Sequence, residues 1–113
     1  MPEAHPRLDE TLAALADPAR RRAIDLLRAE PRRSSDLAEA LGISRPLMSR
    51  HLKVLRKAGL VEERVAEHDA RQRVYRLKAE RFADLRDWVM EVEAFWNDQL
   101  SAFAEYAEAR LAK

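Results

Sequence analysis

The stretch SSDLAEALGISRPLMSRHLKVLRKAGL, residues 34–60, holds two short amphipathic patterns joined at Gly42. In the first, Leu37, Ala38 and Leu41 share one helical face, and Gly42 stands where a helix can end in the left-handed conformation that costs glycine little. Ile43 and Ser44 open the second. Ser44 can cap the free N–H groups of a new helix, Pro46 is tolerated in its first turn, and Met48, Leu52 and Leu55 recur at helical spacing toward a core. The opposite face carries Arg45, Ser49, Arg50, Lys53, Arg56 and Lys57, with His51 at the boundary. Arg forks onto guanine, while Lys, Ser and His reach phosphates or base edges, so residues 34–58 have the outline of a helix-turn-helix that reads a major groove. Ser44, Arg45, Ser49, Arg50, His51, Lys53, Arg56 and Lys57 are the candidate DNA contacts.

Working outward, LVEERVAEHDARQRVYRL at 60–77 places two runs rich in Val, Tyr and Arg around a polar segment, the pattern of a β-hairpin. A hairpin directly after a reading helix is a wing, and Arg71 and Arg73 at or near its tip can enter a minor groove or meet phosphates. Upstream, Leu8, Leu12 and Leu15 line one face of a first helix over 8–16. Asp17 then caps a second helix with Pro18 in its first position, burying Ala19, Ala23, Leu26 and Leu27 with Ile24 flanking. Arg20, Arg21 and Arg22 oppose that helix's dipole. Either they pair locally, Arg21 with Asp25 or Asp17, or one of the three meets a phosphate.

Downstream, residues 80–110 contain no helix breaker. Leu85, Val89, Val92, Trp96, Leu100, Phe103 and Ala107 recur every three or four residues, and Trp88 and Phe95 form a second stripe beside them. A stripe this wide wants a partner helix. Unbroken from Phe82 to Tyr106 it would run roughly 40 Å, against a radius of gyration near 13 Å for a domain of this size. A homodimer follows, with Val89, Val92, Trp96, Leu100 and Phe103 in its interface.

The 113-residue chain is short enough to be read as one domain, 1–113, whose small core needs a partner's help. It has no cysteine, which excludes disulfides, thiolate metal sites and thiol redox sensing. No run approaches eighteen apolar residues and the start, MPEAHPRLDE, lacks a signal peptide's apolar core, so a soluble, cytoplasmic protein without membrane contact is expected. The net charge of +1 is unevenly spread. Residues 17–58 carry +6 and residues 79–113 carry −4, which concentrates positive charge on the reader and turns the acidic tail away from a duplex. With three histidines, serines that caps or base contacts explain, and Gly42 and Gly59 as the only glycines, neither an activated nucleophile nor a phosphate loop is visible, and no enzyme and no cofactor are expected. The rival reading is a protein-interaction module that uses the basic region on an acidic partner.

Taken together, LADPARRRAIDLL at 15–27, DLAEALGISRPLMSRHLKVLRKAGLV at 36–61 and VYRL at 74–77 resemble the ArsR/SmtB family of bacterial winged-helix transcriptional regulators. The tail, DLRDWVMEVEAFWNDQL at 84–100, is similar to a metal-independent branch of it. The resemblance implies a mainly α fold with a small β-hairpin wing at 60–77, ordered α-α-α-α-β-β-α. It implies a dimer in which the first helix, with Leu8, Leu12 and Leu15, joins the last, and a repressor that binds an inverted-repeat operator. One metal site of the family uses cysteines before the turn, where this chain has Ser34 to Ala38, and another uses Asp, Glu and His on the last helix, which has no His here. No metal is therefore expected, although His68 beside Asp69, or His5, could contribute to a site outside the family pattern. The inducing signal is not encoded in any recognisable motif.

Overall fold

The computed structural model describes residues 5–112; residues 1–4 and 113, the ends of the expected 1–113 domain, lie outside the described residues. The order of elements is α1 (Pro6–Leu15), α2 (Pro18–Ala29), α3 (Ser34–Leu41), α4 (Arg45–Lys57), β1 (Val61–Val65), β2 (Arg73–Leu77) and α5 (Glu80–Leu111). This is the expected succession of four helices, a hairpin and a long helix. The chain divides into two units between Ala83 and Asp84, within α5.

In the first unit, local chemistry sets each boundary. Asp17 accepts a hydrogen bond from the Ala19 N–H at 2.8 Å, which caps α2 and holds the Asp17 carboxyl below the usual carboxylate range. Ser44 Oγ accepts from the Leu47 N–H at 3.2 Å and caps α4. Gly42 ends α3 at φ 68°, and its N–H donates to the carbonyls of Ala38 and Glu39. The start of α3 lacks a side-chain cap; there Arg33 grips Asp36 through two hydrogen bonds of 3.0 and 3.1 Å, which lower the Asp36 pKa.

Leu27, Leu37, Met48, Leu52, Leu55, Leu60 and Val61 are buried together, so α2, α3 and α4 share one core that continues into the wing's first strand. Tyr75, Leu77 and Phe82 close its edge. The strands β1 and β2 pair antiparallel from Val61 opposite Leu77 to Val65 opposite Arg73. Arg32, between α2 and α3, adds a bridge by exchanging backbone hydrogen bonds with Tyr75 at 2.7 and 3.1 Å, an edge that no sequence pattern announced.

Two helix faces differ from expectation. Ile24 is buried, not flanking, while Leu26 sits at the core's edge. In α1 the buried residues are Leu8, Thr11 and Ala14, whereas Leu12 is exposed and Leu15 half-buried against the core. Thr11 can be buried because its hydroxyl donates to the Arg7 carbonyl at 3.0 Å, leaving no polar group unpaired. The second unit, from Asp84 onward, is one unbroken helical segment with no buried residue.

Candidate nucleic-acid interface

The site is built on α4. Its inward face, Met48, Leu52 and Leu55, is fully buried and anchors the helix by burial of apolar surface. That anchoring leaves Arg45, Ser49, Arg50, Lys53, Arg56 and Lys57 exposed on the remaining surface, with Ser44 at the amino-terminal cap. Arg45, Arg50, Lys53 and Lys57 have no ion pair or side-chain hydrogen bond among the described residues. Free cations of this kind keep their full charge for an outside anion. Arg56 does not: its Nη1 donates to Glu63 Oε2 on β1 at 2.8 Å, tying the reader to the wing and neutralising much of its charge.

His51 corrects the sequence reading. It was expected to contact DNA from the boundary of the polar face; it stands at that boundary but is only 8% exposed, and its Nδ1 lies 3.3 Å from Arg20 Nη1 on α2. A ring buried beneath another helix's guanidinium is not placed to read a base. The arginine run is resolved by the same contacts. Arg20 also donates to the Ala14 and Ala13 carbonyls, and Arg21 Nη1 donates to those of Leu15 at 2.7 Å and Ala16 at 3.1 Å. Cations that oppose the dipole of α2 thus complement the carboxyl end of α1, where the last carbonyls are otherwise unpaired. Arg21 pairs with neither Asp25 nor Asp17, the two local partners open to it; Arg28 lies 3.9 Å from Asp25 and Arg20 3.8 Å from Asp17. Arg22 alone of the three is exposed without a partner among the described residues.

The wing tip is set by Asp69, whose Oδ1 accepts from the Arg71 backbone N–H at 2.9 Å and from its Nε at 3.3 Å. The Arg71 side chain is 91% exposed, so this pairing is solvated and easily exchanged for a phosphate. Arg73 lies 3.9 Å from Glu63, and Arg64 and Arg76 flank Glu62, pulling the Glu62 pKa down. Glu62 and Glu63 therefore neutralise much of the hairpin's basic charge, a cancellation invisible until the strand register sets which residues face each other.

In the second unit, Val89, Val92, Trp96, Leu100 and Phe103 are exposed, as are Trp88, Phe95 and Tyr106. Phe95 and Trp96 meet edge to face at 5.6 Å, and Arg110 lies 5.6 Å from the Tyr106 ring centre. Among the described residues no three His, Cys, Asp or Glu side chains converge as metal ligands, and no helix is long and apolar enough to cross a membrane.

A capped reading helix projecting free cations, followed at once by a two-stranded wing, defines a winged helix-turn-helix DNA-binding protein. Residues 17–63 match the family model described as bacterial regulatory protein, arsR family. The chain is 37% identical over 101 residues to the HTH-type transcriptional regulator Rv2034 of Mycobacterium tuberculosis, covering 89% of each protein. It is 34% identical over 68 residues to the transcriptional repressor SdpR of Bacillus subtilis, covering 60% of this chain and 71% of that one. Among solved structures, it is similar to the homodimeric winged helix-turn-helix DNA-binding domain of Mb0332 from Mycobacterium bovis, with a TM-score of 0.61, 30% identity, and coverage of 78% of this chain and 79% of that one. The protein belongs to the ArsR family and is a DNA-binding transcriptional regulator, not an enzyme.

Proposed function

We propose that the protein is a cytoplasmic, homodimeric repressor that recognises an inverted-repeat operator without a metal effector. The unpartnered donors on the exposed surface of α4, with Arg50, Lys53 and Lys57 opposite three fully buried side chains and Arg45 and Ser49 at the edges, carry this reading. Each α4 enters a major groove, and the half-site centres lie about one helical turn, or a multiple of it, apart. Arg50 and Ser49 read base edges with Arg45 beside them; Ser44, Lys53 and Lys57 hold the backbone and Arg22 joins them from α2, while Arg56, paired with Glu63, ties the reading helix to the wing. Arg71 and Arg73 extend the contact from the wing. Dimerisation covers the exposed stripe of α5, from Val89 and Val92 through Trp96 and Leu100 to Phe103, together with Leu12 of α1; of the other two expected interface residues, Leu8 is already buried within its own chain and Leu15 half-buried against the core, so they support this face from behind. The homodimeric state of the Mb0332 domain and the repressor role of SdpR support this assignment.

The test uses duplexes enriched from a random pool by the protein itself. Arg50→Ala costs about 1–3 kcal/mol and relaxes preference at particular base pairs, whereas Lys53→Ala weakens all sequences alike and lowers the salt slope by about one. If both variants lose only sequence-independent affinity, Arg50 is a phosphate contact. Footprints confined to a single asymmetric half-site would refute the symmetric dimer.

Soft metals and arsenite need thiolates, which the chain lacks, and zinc or nickel needs several converging ligands. Micromolar zinc, nickel, copper or arsenite titrated into the protein–DNA complex is therefore expected to release no DNA. Release by any of them would overturn metal independence and make His5 and His68 the first residues to replace.

A further inference from the structure

The Arg20 side chain, 17% exposed, joins three helices. It grows from the first turn of α2, where its Nη1 lies 3.8 Å from Asp17, the residue that caps that helix. Its Nε donates to the Ala14 carbonyl and its Nη2 to that of Ala13 at 3.4 Å, closing the carboxyl end of α1. Its Nη1 reaches His51, at the middle of α4, at 3.3 Å. A guanidinium has no acceptor, so Nδ1 of His51 accepts this bond and the ring carries its proton on Nε2. His51 stands between Arg50, which faces outward, and Leu52, which is buried. The contact therefore meets the reading helix at the boundary of its two faces.

The core beneath α4 cannot supply what this contact supplies. Met48, Leu52 and Leu55 set how deep the helix sits, but apolar attraction is non-directional and permits small rotations and slides. A planar fork that bonds two carbonyls of one helix and a ring nitrogen of another is directional. The 13-residue α4 is about 20 Å long, so a tilt of about 10° about its midpoint moves each end by about 2 Å. Such a shift takes base contacts outside hydrogen-bonding range.

We propose that Arg20 and His51 are positioning residues that set the reading helix relative to α1, and hence the half-site spacing the dimer accepts, while neither touches DNA. The inference rests on the dimeric reading above, in which α1 lies at the subunit interface.

The experiment compares duplexes enriched by the wild-type protein with the same duplexes lengthened or shortened between half-sites by one or two base pairs. Wild type discriminates among the spacings. Arg20→Met and His51→Leu lose about tenfold affinity at the preferred spacing and little at the others, with the salt slope unchanged. The double variant binds no more weakly than Arg20→Met alone, because the one contact that His51→Leu breaks is already lost in it. His51→Asn, whose Oδ1 can replace the Nδ1 acceptor, restores discrimination. Spacing discrimination that survives intact in folded Arg20→Met, or a salt slope lowered by about one in that variant, overturns the inference while leaving the dimer standing. A wild type indifferent to spacing overturns the dimeric reading and this inference together. Nitrogen-15 spectra of the wild type give a test independent of any variant's folding: the expected His51 signature has the proton on Nε2, and a proton on Nδ1 refutes the bond.

Discussion

Val92→Asp is expected to leave the protein monomeric at micromolar concentration and to abolish tight binding to the two-half-site duplex. Val92 is 36% exposed in the single chain, and Trp88, Val89, Phe95 and Trp96 around it on α5 are exposed as well. A helical face with this much uncovered aromatic and aliphatic surface is stable in water only when another surface covers it. Inside such an interface a carboxylate has no cation to meet, and its burial costs on the order of several kcal/mol. Folding and association are linked in a small domain, so thermal stability falls along with the dimer and becomes less dependent on protein concentration. Sedimentation equilibrium of parent and variant decides the matter. A parent protein that sediments as a stable monomer at micromolar concentration refutes the premise, and a dimeric Val92→Asp moves the interface elsewhere.

Leu55→Ala is expected to remove about 2–5 kcal/mol of stability, a large share of the roughly 5–15 kcal/mol that holds a domain of this size together. Leu55 is fully buried in the cluster that unites α2, α3, α4 and β1, so truncation loses transfer free energy and leaves a cavity that the surrounding helices fill only in part. Leu47, two turns earlier and 37% exposed, is the control, and Leu47→Ala should cost well under 1 kcal/mol. Urea unfolding at fixed protein concentration measures both. Equal losses at the two positions would contradict the assigned inward face of α4. The comparison also bears on function, because the inward face holds the outward donors at a defined height and rotation. A folded Leu55→Ala protein should therefore bind its preferred duplex more weakly than the loss of folded population explains.

Much of the architecture was legible in the sequence because its determinants are local. Asp17 and Ser44 cap helices that begin one residue later, Gly42 relieves a left-handed turn, and the spacing of Met48, Leu52 and Leu55 defines a face by helical geometry alone. The runs rich in Val, Tyr and Arg on either side of the polar segment from Glu67 to Arg71 marked a hairpin for the same reason, since strand and turn preferences act over a few neighbouring residues. These signals also carried the family resemblance. Contacts between elements distant in sequence were not legible. His51 looked like part of the reading face until packing brought Arg20 over it from thirty-one residues away. Whether Arg20 and Arg21 pair locally or meet a phosphate stayed open until the end of α1 supplied unpaired carbonyls, and Arg56 looked free until strand register presented Glu63. In α1 the largest apolar residues drew the eye, yet Thr11 is buried and Leu12 exposed, because a threonine satisfied by its own helix is cheap to bury. The sequence by itself determined where helices and strands start and stop and, in α3 and α4, which face turns inward, since those choices depend on residues three or four apart. Only the tertiary structure decided which charges remain free to meet DNA, because a cation's availability depends on whichever carbonyl, carboxylate or ring the fold brings within about 3 Å of it.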